Sequence, residues 1–234
     1  MNDHVHDLAL LGSATDRLLA SLATLDNAAL AEASRLPGWS RGHVLAHLSR
    51  NADALVNVFE GRPMYASADA RDGDIERDAP RTLDAQITDL RESTARFLAT
   101  TEPAQDWSRT VELRNGVKDA AANIPFRRLI EVELHHVDLN VGYELEDLPD
   151  EFTQREITFL ADRWSGRPEV PPVTLVLGDG DGDGDPTWHT GGTQGAPVTL
   201  NGTGAQLLGW LAGRGDKGAH LTVTGGDLPT LPPL

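Results

Sequence analysis

The 234 residues are 39% hydrophobic, which argues against wholesale disorder, and the length suits one long domain or a larger plus a smaller one. A formal net charge of −16, from 20 basic and 36 acidic side chains, repels nucleic acid, anionic membrane and small anions alike. Cysteine is absent, which excludes disulfides, thiolate metal ligands and a protein thiol nucleophile. Any metal must then be held by His, Asp or Glu, and any thiol chemistry must use a thiol from outside. No run approaches ~18 consecutive apolar residues, so no membrane span is expected. The stretch Met1-Asn2-Asp3-His4-Val5-His6-Asp7 lacks the basic segment of a signal peptide. Both points favour the cytoplasm.

Residues 1 to about 165 read as helical. Leu8, Leu11, Leu18, Leu19 and Leu22 recur at helical spacing, and Asp26-Asn27 breaks the chain. Pro37-Gly38 marks a turn, and Ser40 is a good N-cap for a helix running through His43, His47 and Leu55. Residues 61–81, rich in Gly, Pro, Asp and Arg, read as a long loop. Leu83, Ile87, Leu90, Thr94, Phe97 and Leu98 make another amphipathic helix. Residues 101–123 are irregular, with short extended pieces around Thr110-Val111-Glu112-Leu113. Pro125 suits the first turn of a helix that continues to about Val141 and stops at Gly142. Asp150 caps one more helix, through Ile157 and Leu160 to Trp164.

Composition shifts at Ser165-Gly166-Arg167-Pro168-Glu169-Val170-Pro171-Pro172, which reads as a linker. Short β-like runs follow: 173–177, 187–189, 197–200 and 220–223, with a helix over about 205–212 before the last. The expected organisation is α+β: a helical unit over 1–166 and a small α+β unit over 167–234. Alternating Asp and Gly over 178–185 suggests calcium, but no Asp series there closes on a Glu as the twelve-residue helical loop requires. A flexible hairpin tip is the better reading.

Two stretches carry the chemistry. In Glu131-Val132-Glu133-Leu134-His135-His136-Val137-Asp138-Leu139, Glu131 and His135 are four apart and project from one helix face. In Leu36-Pro37-Gly38-Trp39-Ser40-Arg41-Gly42-His43-Val44-Leu45-Ala46-His47, the two histidines are again four apart. Either pair alone is also read as a solvated or hydrogen-bonded surface pair. Both sit in strongly apolar helices, where imidazoles and carboxylates need partners, and a metal supplies one. A carboxylate with two imidazoles makes a three-ligand divalent site with an open position, the mark of a catalytic rather than structural zinc.

These runs resemble the mycothiol-dependent maleylpyruvate isomerases, members of the DinB-like superfamily of metal-binding four-helix bundles. The resemblance continues at Pro63-Met64-Tyr65 with Arg71, and at Leu211-Ala212-Gly213-Arg214-Gly215, so it spans nearly the whole chain. It implies a DinB-like four-helix bundle followed by a small α+β domain, with zinc ligands at His47, Glu131 and His135. It also implies a substrate- or catalysis-related Arg214 and a carboxylate-binding Arg71. Arg214 is also placed to complement a helix C-terminus, although an acidic protein's need for a cation favours the functional role. His43 falls outside the implied ligand set, and the helix's first turn gives it a capping or surface role. His136 points about 100° away from His135 and suits an interhelical hydrogen bond. Asp138 and Asn51, one turn beyond ligands, either orient an imidazole or serve helix packing.

The implied reaction is the cis–trans isomerisation of maleylpyruvate to fumarylpyruvate, in aromatic degradation through gentisate. Zinc and the low-molecular-weight thiol mycothiol are the implied cofactors, with nickel or manganese as other candidate metals. A zinc-bound thiolate adds to the conjugated double bond, the resulting single bond rotates, and elimination gives the trans isomer. Arg214 would stabilise the intervening negative charge. Two other readings stay open: another mycothiol S-transferase acting on electrophiles, and a non-catalytic metal-binding protein. The implied partners are a small anionic substrate and the thiol, with no nucleic acid and no membrane. The oligomeric state is left open.

Overall fold

The structure is a computed structural model, and it describes residues 3–101, 106–178 and 185–232. The expected hairpin tip over 178–185 falls mostly on residues 179–184, which lie outside the described residues. The chain divides into two compact units, 1–143 and 144–234.

The first unit is a four-helix bundle with additions. Its helices are α1 (His4–Leu22), α2 (Arg41–Phe59), α4 (Leu83–Thr101) and α5 (Ile124–Asp138), with α3 (Ala68–Asp78) packed on α2. α1 packs on α5 and α4, and α2 packs on α4 and α5, which closes the ring of four. Leu11, Leu18 and Leu22 line the core from α1, spaced to share one helical face. α2 is buried almost throughout from Val44 to Leu55, since three helices pack against it. Leu90 and Phe97 from α4, and Leu129, Val132 and Val137 from α5, complete the core. Between α4 and α5 lies a small antiparallel hairpin of β1 (Thr110–Glu112) and β2 (Lys118–Ala120).

Residues 61–81 are not the loop their composition suggests. α3 starts where Ser67 accepts a hydrogen bond from the Ala70 amide, and Ile75 and Asp78 are its buried residues. Such a polar helix gains little from its own sequence. It is held by its N-cap and by packing on α2.

The second unit holds α6 (Asp150–Trp164), α7 (Gly204–Ala212) and a four-stranded sheet. The strands are β3 (Val173–Leu177), β4 (Thr187–Thr190), β5 (Val198–Gly202) and β6 (Thr222–Thr224), in the order β4-β3-β5-β6. β3 and β5 are parallel, as a crossover connection allows, and the outer strands pair antiparallel. Val173, Leu175, Val198 and Leu200 alternate with half-buried neighbours, so one face of the sheet is sealed. The C-terminal α+β architecture is thus as expected.

α6 belongs to this unit, although the expected boundary at 166/167 would leave it with the bundle. It packs on α7 and β4, and Phe152, Ile157, Leu160 and Trp164 are buried. Pro149, rather than Asp150, occupies its cap position. Among the described residues no helix is long and apolar enough to cross a membrane.

Candidate metal centre

The site is built on the facing sides of α2 and α5. Ser40 starts α2 in extended backbone, accepts from the His43 amide at 3.4 Å, and donates its own amide to His43 Nδ1 at 3.2 Å. His43 is therefore spent on capping, and its Nε2 lies 3.4 Å from Glu76. One turn on, His47 is turned into the bundle and buried. On α5, Pro125 occupies the first turn, and Glu131 and His135 follow four residues apart.

The three side chains meet. His47 Nε2 lies 3.0 Å and His135 Nε2 3.2 Å from the same oxygen, Glu131 Oε2. The two imidazole centroids are 4.7 Å apart with the rings nearly perpendicular. One ligand atom from each residue lies within 4.8 Å of the others. Tetrahedral ligands ~2.1 Å from a metal are about 3.4 Å apart. The two observed separations are close to that, and the set of two nitrogens and one oxygen suits a zinc-like ion. The donor set fits a divalent metal without large rearrangement.

Burial raises the Glu131 pKa, but hydrogen bonds and charge from His135 and His47 outweigh it, so the carboxyl sits well below its ordinary range. Burial lowers His135, yet its bonds to Asp138 and Glu131 carry it above the usual imidazole value. For His47 burial wins, and its pKa falls despite Glu131.

Asp138 Oδ2 accepts from His135 Nδ1 at 2.8 Å and is itself buried. That contact places the ring's hydrogen on Nδ1 and turns Nε2 towards Glu131. Asn51 orients no imidazole; its Oδ1 accepts from Arg128 Nη1 at 2.9 Å. His136 faces the other way, bonding Ser21 of α1 at 2.9 Å and stacking on Tyr143.

Arg71, carried by α3, comes close to the triad. Its Nη2 is 3.4 Å from His47 Nδ1, and its guanidinium lies 5.9 Å from the Trp39 ring and 6.0 Å from the Tyr65 ring. An arginine can only donate, so this contact suits the metal-free tautomer of His47, with hydrogen on Nε2. Arg214 lies in the second unit, after the left-handed Gly213 that ends α7, and donates from Nη1 to the Ala212 carbonyl at 3.1 Å.

Three features escape the sequence. Arg128 is wholly buried one turn before Glu131. The Tyr65 phenol is held above its ordinary pKa by burial and by the Glu131 charge. An open cavity of about 530 Å³ lies between residues of the 58–68 stretch and residues 109–116 of β1 and its turn, with Tyr65, Arg62, Arg109 and Arg114 in its walls. Helical phase was the available signal for Arg128, which shares a face with Glu131.

A carboxylate and two imidazoles on facing helices define the class: a four-helix bundle with a candidate three-ligand metal centre. Two family profiles match the chain. The mycothiol maleylpyruvate isomerase N-terminal domain matches residues 11–140, and the MDMPI C-terminal domain matches residues 147–233. The chain belongs to the mycothiol maleylpyruvate isomerase family. A crystal structure of the mycothiol-dependent maleylpyruvate isomerase is 26% identical, with a TM-score of 0.84 over 99% of this chain and 97% of that one. A structure of a histidine-to-alanine mutant of the mycothiol-dependent maleylpyruvate isomerase matches with the same coverage and TM-score at 25% identity. Among curated proteins none matches.

Proposed function

We propose that this chain is a mycothiol-dependent isomerase that converts maleylpyruvate to fumarylpyruvate at a zinc centre held by His47, Glu131 and His135. The observation that carries the reading is the meeting of both Nε2 atoms on Glu131 Oε2, with His135 oriented by the buried Asp138. The family and the structural likeness to the solved isomerase support the reaction.

The chain has no thiol of its own, so the nucleophile must arrive with a cosubstrate. Zinc held by His47, Glu131 and His135 would supply a Lewis-acid position that favours the deprotonated form of an incoming thiol. Every other task falls to side chains. Asp138 keeps the His135 proton on Nδ1, so that Nε2 offers a lone pair. Trp39 covers His47, with ring centroids 5.5 Å apart, and helps exclude water. Arg71, between Trp39 and Tyr65, is the cation for a substrate carboxylate, which a guanidinium binds through two parallel bonds. For Arg214 of the second unit, the family resemblance alone supports a role with the substrate's negative charge.

The test combines metal analysis with turnover. Purified protein should hold about one zinc per chain, and His47→Ala should lose it. With zinc and mycothiol present, the ultraviolet spectrum of maleylpyruvate should convert to that of the trans isomer. An unchanged spectrum with fully loaded protein would sink the isomerase assignment, and an intact protein that binds no divalent metal would sink the triad.

A further inference from the structure

Arg128 lies on α5 one turn before Glu131 and has no solvent exposure. Its Nη1 donates to Asn51 Oδ1 at 2.9 Å, and Asn51 sits on α2 one turn beyond His47. Its Nε and Nη2 are buried and, among the described residues, meet no hydrogen-bond partner. Those two nitrogens form one edge of the guanidinium. Their N–H bonds run parallel, the spacing that fits the two oxygens of a carboxylate. Asn51 fixes the third nitrogen, so the bare edge is held in one orientation.

A buried cation with an unused fork is costly, and an apolar side chain of similar volume would fill the space without that cost. The titratable groups within electrostatic reach are the Glu131 and Asp53 carboxyls and the Tyr65 phenol, and none bonds to the fork. Burial pulls the Arg128 pKa down to about 10, which leaves it a cation at neutral pH. Tyr65 also faces Glu131 and walls the 530 Å³ cavity. One phenol therefore lines the cavity and interacts electrostatically with both the guanidinium and the triad's carboxylate. Arg128 is not among the residues lining the cavity, so a ligand would reach the covered fork by displacing a side chain that seals it.

We propose that Arg128 is a carboxylate-binding residue whose Nε–Nη2 edge takes one carboxylate of the anionic substrate. Arg128 and Glu131 are three residues apart, about 4.5 Å along the helix, so a carboxylate taken by the fork would lie on the helix face that carries Glu131. The choice of a carboxylate substrate rests on the function proposed above. The site itself rests on the bare fork.

The test uses the full, metal-loaded chain with maleate, a cis four-carbon dicarboxylate, as the probe in titration calorimetry. Wild type should bind maleate. Arg128→Met should weaken it at least tenfold, and Arg128→Lys should retain part of the affinity, as a point charge without a fork. Zinc content should stay the same, and the melting temperature of Arg128→Met should hold or rise, because a buried charge is removed. A merely structural Arg128 gives the reverse pattern: lower thermal stability with unchanged maleate affinity. That pattern, or a wild type that does not bind maleate, overturns the proposal. Should Arg128→Met fail to fold, Arg128→Lys decides, and wild-type affinity in it overturns the proposal. The two readings separate cleanly. Isomerisation with an unchanged KM in Arg128→Met sinks the fork alone. Arg128-dependent maleate binding without isomerisation sinks the isomerase alone.

Discussion

Replacing Asp138 perturbs the centre while leaving all three triad side chains in place. Asp138 is 1% exposed, and its Oδ2 lies 2.8 Å from His135 Nδ1. The carboxylate holds the ring hydrogen on Nδ1 and makes Nε2 a better donor to a metal. Asn keeps an acceptor in the same place and loses the charge, while Ala loses both. A buried hydrogen bond to a charged group contributes about 1.5–3 kcal/mol. At about 1.4 kcal/mol per factor of ten, zinc affinity should fall roughly 10- to 100-fold. Asp138→Asn belongs near the lower figure. Asp138→Ala belongs near the upper one, because bulk water does not reach a buried position to replace the acceptor. The assay is zinc competition against a chromophoric chelator at fixed pH, with circular dichroism of the metal-free forms as the control for folding. Equal zinc affinity in wild type and in both folded variants would refute the reasoning. Either His135 would then not be a ligand, or its orientation would not depend on Asp138.

Two further outcomes follow from the same contacts. In chelator-treated protein, the Glu131 pKa lies below its unfolded value, so its contribution to stability is complete above about pH 4.3 and is lost as pH falls through the folded value. Urea denaturation of wild type and Glu131→Gln should show a stability gap above about pH 5 that closes in acid, and a gap independent of pH between about 3 and 6 would contradict this. Gly42→Ala would place a Cβ 2.2 Å from the Ala79 carbonyl oxygen, a backbone atom that cannot move aside cheaply. It should cost about 1–3 kcal/mol in urea denaturation, towards the upper figure, and an unchanged midpoint would show that the chain between α3 and α4 can retreat from α2.

Legibility varied with how much of each feature is local. Ser40 and Pro125 announce the starts of α2 and α5, and alternating apolar residues announce β3 and β5. α3 was hidden, because its hold on the molecule is one N-cap and contact with another helix, neither of which shows as periodicity. α6 was legible as a helix, but which unit buries Phe152 and Leu160 is a tertiary fact. The same holds in the site. Spacing puts Glu131 and His135 on one face, while the opposition of α2 to α5 that brings His47 rather than His43 to them is a tertiary fact that spacing does not show. Arg127 and Arg128 are adjacent and look alike in sequence. Arg127 pairs with Asp119, and Arg128 is sealed inside.

That difference bears on how an acidic protein handles an anion. A net charge of −16 repels a dicarboxylate at long range, over distances that salt screens within about 10 Å at 0.1 M. Recognition therefore has to come from cations at short range in a poorly solvated place, where each charge acts more strongly than on the surface. Arg71 is at 3.4 Å from His47, and Arg128 shares a helix face with Glu131. The two cations come from different elements: Arg71 from α3 approaches His47, and Arg128 from α5 is within electrostatic reach of Glu131. Were Glu131 committed to a metal, its charge would no longer oppose an incoming carboxylate in full. On the proposed function, metal loading and anion capture would be coupled through Glu131, and neither arginine would need help from the field of the whole molecule.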